Sequence, residues 1–239
     1  AVLKKNFFTF VGLAEIPLCH GLTVGELARF MQQKYLPTCD LRVVPMTNYH
    51  HKMSYAETGL PWVVPSPNMP TERTAAVYPG AVLIEALNLS EARGTTTPFE
   101  LFGAPYVDAE ALKTYLDALD IPGCKFRIHN YIPTFHKFAK QDCEGLFVHV
   151  TDPKVFYAVR TFAHIFAGII ATAKTPDALK FLPPPYEYEY HLTPFDILAG
   201  DDGLRTVLQQ KTPLSAEFAR WEQELAEFQL ETDKIRLYE

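Results

Sequence analysis

Cysteine is scarce in this chain: Cys19, Cys39, Cys124 and Cys143 are the only four in 239 residues. No two of them fall at metal-ligand spacing, and four allow three pairings, so neither a zinc site nor a disulfide framework is specified. Reduced thiols are the simpler expectation. No apolar run reaches membrane length. The longest, 155–173, is interrupted by Arg160 and His164 and reads as a buried helix, so no membrane span is expected. Basic residues are outnumbered, 22 Lys and Arg against 28 Asp and Glu, for a net charge of −6. That balance argues against a nucleic-acid partner, which needs a cationic surface, and leaves a sugar or a neutral or cationic ligand easier to accommodate. Also missing are internal repeats, low-complexity segments and a basic-then-apolar leader. There is no Gly-x-Ser-x-Gly elbow and no Cys–His arrangement. The Gly94-Thr95-Thr96-Thr97 run lacks the lysine and glycine spacing of a phosphate loop.

What the chain has in quantity is proline, 19 residues, together with a 13% aromatic content. Many loops should be stiff and ring-lined, which suits a carbohydrate site and equally a loop-rich scaffold. Phe7–Ile16 is rich in aromatic and β-branched residues and predicts a strand or an extended entry. Thr23 and Glu26 are spaced as a capping box, predicting a helix over 24–35 that buries Leu27, Phe30 and Met31. Leu41–Pro45 predicts a second short strand, and strand–helix–strand is the rhythm of a parallel sheet. Downstream, Thr71 is placed to cap a short turn and Pro79 to open a second helix. Extended structure is expected over 100–106, a helix from Asp108, strands over 124–132 and 145–150, and a long helix capped by Asp152. Final helices are expected over 203–210 and about 215–230. A composition change places a domain boundary near Val107. His50 and His51 are adjacent, point in different directions and have no neighbouring carboxylate in the sequence, so no metal is expected there.

The chemistry concentrates between Pro65 and Pro105. Glu85, Asn88, Glu91 and Arg93 fall within nine positions, among prolines and glycines that fix the backbone. Two carboxylates are what glycosidic cleavage uses, one to protonate the leaving oxygen and one to attack or activate water. Arginine and asparagine can orient sugar hydroxyls or a carboxylate. The same residues would also make a loop stapled by its own Glu–Arg pair and asparagine-to-backbone bonds. His20, just before a helix start, either faces a cleft or is satisfied by backbone. The remaining histidines, including His129, His136, His149, His164 and His191, are scattered and read as structural.

The stretches FVGLAEIPLCHGLTVGELA, GLPWVVPSPNMPT, AVYPG, NLSEARGTTTPFELFGAP and VHVTD resemble the DUF1343 family, whose characterised members are exo-β-N-acetylmuramidases of the NamZ type. The resemblance runs from the first residues to about Tyr238. It implies an α/β fold, with residues 1–106 as the C-terminal part of a Rossmann-like parallel-sheet catalytic domain and 107–239 as a smaller α+β auxiliary domain. It implies a glycoside hydrolase that releases N-acetylmuramic acid from the non-reducing ends of peptidoglycan fragments, in an exported bacterial protein with no metal or organic cofactor. Glu85 and Glu91 would be the catalytic candidates. His20, Asn68, Asn88, Arg93 and Thr95 would line the sugar site, with Arg93 on the lactyl carboxylate by bidentate hydrogen bonding. Two departures accompany the resemblance. The family's Ser-Pro-Glu-His-Gly motif, in a further N-terminal part, does not occur here. The central loop, commonly Glu-Gly-Thr-Asn-x-Ser-Glu-Gly-Arg-Gly-Thr, carries Ala86, Leu87 and Ala92 at two glycines and a threonine. A missing N-terminal half or a partner chain is therefore expected. The alternative is a non-catalytic peptidoglycan-binding or scaffold module.

Overall fold

The structure, a computed structural model, describes residues 1–238. Helix α1 (Val24–Tyr35) begins where its capping box predicts: Thr23 Oγ1 accepts from the Glu26 amide at 3.4 Å, and the Glu26 carboxylate accepts from the Thr23 amide at 2.8 Å. Glu26 is also fully buried, and its Oε1 takes the Leu237 amide at 2.7 Å and sits 2.9 Å from His51 Nε2. Burial works to raise its pKa. The hydrogen bonds from Leu237, Thr23 and His51 together outweigh burial and hold the carboxyl down at about 2. One side chain thus caps α1 and pins it to the chain's C-terminal segment. Phe30 packs beside it against Leu22, Ile235 and Phe228 of α7 (Ser215–Thr232), with Leu27 and Met31 half-buried at the edge.

The strands predicted on either side of α1 do not form. Residues 7–17 make only isolated bridges, Thr9 to Gly12 and Pro17 to Val2, and 41–46 makes none. β-branched and aromatic residues favour a strand only when a neighbour supplies hydrogen bonds and a face to pack on. Here Phe10 is 72% and Val44 85% exposed, with no sheet beside them.

The main core begins at α2 (Glu72–Ala81), capped by Thr71 and continued by a 3-10 turn over Val82–Ala86. Pro79 therefore lies in its last turn instead of its first. Then follow β1 (Leu101–Ala104), α3 (Ala109–Ala118, capped by Asp108), β2 (Cys124–Ile128), β3 (Glu144–Val150) and α4 (Ala158–Thr172). Two short helices, α5 (Pro194–Ala199) and α6 (Gly203–Gln210), precede α7; α5 has no counterpart in the sequence expectations. The three strands form one sheet in the order β1–β3–β2, antiparallel throughout, with Leu101 opposite Phe147 and Phe126 opposite Val148. The fold is mixed α/β, but the parallel Rossmann-like sheet is not present among the described residues. β2 and β3 are joined by a connection that returns antiparallel and needs no helical crossover.

One face of the sheet, with Phe102, Phe126, Leu146 and Val148, packs into a core with Leu112 and Leu116 of α3 and Phe162, Phe166 and Ile169 of α4. Two glycines allow the closest approaches. A Cβ on Gly80 would stand 2.3 Å from the Ala158 carbonyl oxygen where α2 crosses α4, and one on Gly145 would stand 1.9 Å from the Phe102 oxygen. Val107, near which the sequence expects a boundary, is buried in this cluster, which runs from Val77 to Trp221. Asp152 does not cap α4. The amides of Thr151 and Asp152 both bond the Gly123 carbonyl, which holds that segment in a turn and delays the helix to Ala158.

Candidate active site

The 3-10 turn after α2 buries Val82, Leu83, Ile84 and Ala86 and leaves Glu85 as its one outward residue. The chain then runs extended, with Leu87 bridged to Phe181 and Ser90 to Gly103 beside β1. At Ala92 it reverses: φ is +57° there and +83° at Gly94. Thr95 closes the turn by donating its hydroxyl to the Ala92 carbonyl at 2.8 Å. The turn swings Arg93 back over the segment it has left. Its Nη2 donates to Glu85 Oε1 at 2.6 Å and its Nε to Glu91 Oε1 at 3.0 Å, while the guanidinium lies 5.1 Å from the centre of the Phe99 ring. Burial opposes the charge on Arg93, but Glu85 and Glu91 more than offset it and raise its pKa.

A second loop closes over this pair from the far side. The β2–β3 connection stays hairpin-like through the Tyr131–Cys143 bridge, and Thr134 ties it to the arginine turn by donating both its amide and its hydroxyl to the Gly94 carbonyl. Gly94 has no room for a side chain, since a Cβ would meet Phe135 N at 2.7 Å. The tie brings in Lys137, whose ammonium donates to the carbonyls of Ile84 at 2.7 Å, Leu89 at 3.1 Å and Glu85 at 3.2 Å. Three protons meet three carbonyls. Glu91 Oε2, 3.2 Å from the same nitrogen, accepts no hydrogen bond from the described residues and pairs with Lys137 by charge alone. Burial lowers the Lys137 pKa, and Glu91 opposes that shift. His136 Nδ1 stands 3.1 Å from Glu91 Oε1. From a third segment, Tyr186 donates its hydroxyl to Glu85 Oε2 at 2.9 Å; burial and then Glu85 raise the Tyr186 pKa.

Burial separates the two carboxylates. Glu91 has 0% side-chain exposure and Glu85 has 19%. Glu85 is thus the one that faces solvent, between Arg93 and Tyr186. Of the eleven non-glycine residues with positive φ among the described residues, seven (Ala92, Phe99, His136, Phe138, Lys140, Glu187 and Tyr188) lie in the three loops that build this constellation. Strained backbone of this kind gathers at functional sites, where packing over-determines it.

The structure brings Glu85, Glu91 and Arg93 together and leaves the other sequence candidates apart from them. Asn88 faces the opposite way: its Nδ2 donates to the Ala178 carbonyl, and its Oδ1 accepts from the Lys180 amide and the Tyr106 hydroxyl. No helix carries it onto the Glu85 face, because helical structure ends at Ala86. Thr95 is spent on its turn. His20 Nδ1 accepts from the Leu22 amide, and the ring lines a separate hollow with Val11, Pro17 and Ile197. Asn68 sits half-buried in the 65–68 turn with no hydrogen bond to the site among the described residues. His136, Lys137 and Tyr186 were not among the candidates. Only the register that continues β2 and β3 to Tyr131 and Cys143 points to the first two.

The model of the family described as Exo-beta-N-acetylmuramidase NamZ, C-terminal, matches residues 76–238, and the N-terminal model of the same family matches 1–73. The chain belongs to the NamZ family. Every residue of the constellation lies in the C-terminal match, while His20 and Asn68 lie in the N-terminal one. A curated NamZ relative, the peptidoglycan beta-N-acetylmuramidase NamZ of Bacillus subtilis (strain 168), is 39% identical over 238 residues, which are 99% of this chain and 55% of the relative. A crystal structure of a DUF1343 family protein from Bacteroides fragilis superposes with a TM-score of 0.86 at 26% identity, over 100% of this chain and 62% of that one. A second from the same organism gives 0.71 at 23% identity, over 100% and 61%, and speaks to the fold alone. The chain therefore spans a little over half the length of the relatives it matches.

Proposed function

We propose that this chain is the sugar-holding part of an exo-β-N-acetylmuramidase that releases N-acetylmuramic acid from the non-reducing ends of peptidoglycan fragments. The observation that carries it is Arg93 clamped between two carboxylates at a strained turn, in a chain 39% identical to a NamZ muramidase. Arg93 spends Nε and one Nη2 proton on Glu91 and Glu85, while Nη1 bonds no described residue. The end of the guanidinium remains able to take a ligand carboxylate in bidentate fashion, as the lactyl group of muramic acid requires. Glu85, open to solvent and held by Tyr186, is the carboxylate placed for proton transfer or for orienting the sugar. Glu91, sealed from solvent, acts through the arginine it holds.

Glycosidic cleavage needs two carboxylates at the scissile bond, and this site opens only one. The second, in this reading, comes from polypeptide that the relatives carry beyond the matched share, along with the Rossmann-like parallel sheet. The exposed Phe10, Val44 and Val63 support a docking face for it. No helix among the described residues is long and apolar enough to cross a membrane; the peptidoglycan reading carries with it action outside the cytoplasm, after export. The single open carboxylate also favours a second reading, a peptidoglycan-binding module without turnover.

A chromogenic β-N-acetylmuramide, assayed with the chain alone and with the upstream segment of the Bacillus subtilis relative supplied in trans, tests both. Turnover that needs the upstream segment and falls at least 100-fold in Glu85→Gln is the expected result. Saturable binding without turnover in either mixture leaves the binding module standing, and neither binding nor turnover sinks both.

A further inference from the structure

We propose that His136 is the second arm of an acid receptor whose first arm is Arg93, so that this site selects a carboxylate-bearing sugar over its neutral counterpart. The inference rests on the muramyl-sugar reading above and adds the residue that sets its specificity. Arg93 Nε and His136 Nδ1 approach one and the same oxygen, Glu91 Oε1, at 3.0 and 3.1 Å. That oxygen belongs to a fully buried carboxylate, whereas the two side chains anchored on it reach the surface, Arg93 with 24% and His136 with 47% of its side chain exposed. Beyond the anchor, Arg93 Nη1 and His136 Nε2 bond no described residue. Arg93, hydrogen-bonded to that oxygen, and His136, 3.1 Å from it, leave their other nitrogens without a partner among the described residues and together form a pincer. A planar carboxylate, which accepts in several directions, is the group that satisfies both.

Charge points the same way. Glu85 and Glu91 balance Arg93 and Lys137 one for one. The site therefore carries no excess negative charge that would repel an anionic ligand. Glu91 does not require His136 as a partner, because Arg93 and Lys137 already flank it. Yet the chain holds His136 at φ +71°, a left-handed conformation that disfavours a residue with a Cβ. That cost has a use if the ring must reach a ligand.

The test compares N-acetylmuramic acid with N-acetylglucosamine, which lacks the lactyl acid, by titration calorimetry on the whole chain and on two variants. Asparagine tolerates positive φ and places an amide where Nδ1 stands, so His136→Asn keeps the contact with Glu91 and loses the outer arm. His136→Gln places its amide where Nε2 stands. The wild-type chain should prefer the acidic sugar, His136→Asn should lose about tenfold of that preference, and His136→Gln should retain most of it. Full preference in the asparagine variant, or equal loss in both, would show that the histidine only braces Glu91 and would overturn the inference. A wild-type chain with no preference for the acid would instead overturn the reading of the site itself, and this inference with it.

Discussion

Ala92 shows how much a single position contributes to the site. Arg93 can turn back on Glu85 and Glu91 only because its neighbour adopts φ +57°, where an L-residue pays about 1 kcal/mol that glycine does not. The other altered glycine position, Ala86, has no positive φ and closes an ordinary 3-10 turn. Ala92→Gly should therefore stabilise the chain by up to about 1 kcal/mol, raising Tm by roughly 2–4 °C in a domain of this size. Differential scanning calorimetry reads this directly, and an unchanged or lower Tm would show that the turn is not strained at Ala92. The three charged residues of this stretch were legible as a group from their nine-position spacing. His136 and Lys137 were not, being more than forty residues downstream in a segment whose composition, Phe-His-Lys-Phe, looks like any loop. Asn88 and Thr95 have the right chemistry in the right stretch, but backbone direction sends Asn88 to Tyr106 and the 178–180 segment and Thr95 to its own turn.

Among the elements, α1 shows the strongest link between sequence and stability. Its capping glutamate does three tasks at once: it holds its own helix N-terminus, His51 and the Leu237 amide. Because the folded carboxyl lies near 2 against an ordinary 4.5, its contribution is complete above about pH 4.5 and falls away as pH drops toward 2. Urea unfolding at pH 7 and at pH 3 should show a large stability loss on acidification in the wild type. Glu26→Gln should start lower at pH 7 and lose less between the two pH values. A variant with the same acid dependence as wild type would rule out Glu26 as the titrating group. Local signals set α1 and α6 at the boundaries predicted, through a capping box in α1 and apolar spacing in α6, whereas Pro79 does not open α2, Asp152 does not cap α4 and α5 has no local signal. The expected extended segments over 100–106, 124–132 and 145–150 contain β1, β2 and β3, while 7–16 and 41–45 carry strand composition without a sheet to join, and a strand without a neighbour has nothing to pair its backbone with.

For the whole molecule, the informative feature is where its apolar surface lies. Exposed large apolar residues are denser before residue 65, where Phe10, Leu13, Val44, Leu60 and Val63 are among them, than in the stretch that forms the main core, where Leu119, Ile132, Phe135 and Tyr188 are also exposed. If this face receives the further polypeptide of the relatives, Val44→Asp should leave the chain's own Tm within about 1 °C, since an exposed side chain has little to lose. The same change should weaken capture of the upstream segment at least tenfold by surface plasmon resonance. Equal capture by wild type and variant would show that Val44 lies outside the docking face. The sequence by itself determined α1, α6 and the proximity of Glu85, Glu91 and Arg93, because capping, apolar periodicity and short spacings act within a dozen residues, and its motif stretches carried the resemblance to the family. Only the tertiary structure decided that Glu91 is sealed and Glu85 open, and that His136 and Lys137 complete the site. Burial and long-range strand register depend on every segment packing at once, and no local stretch of sequence encodes them.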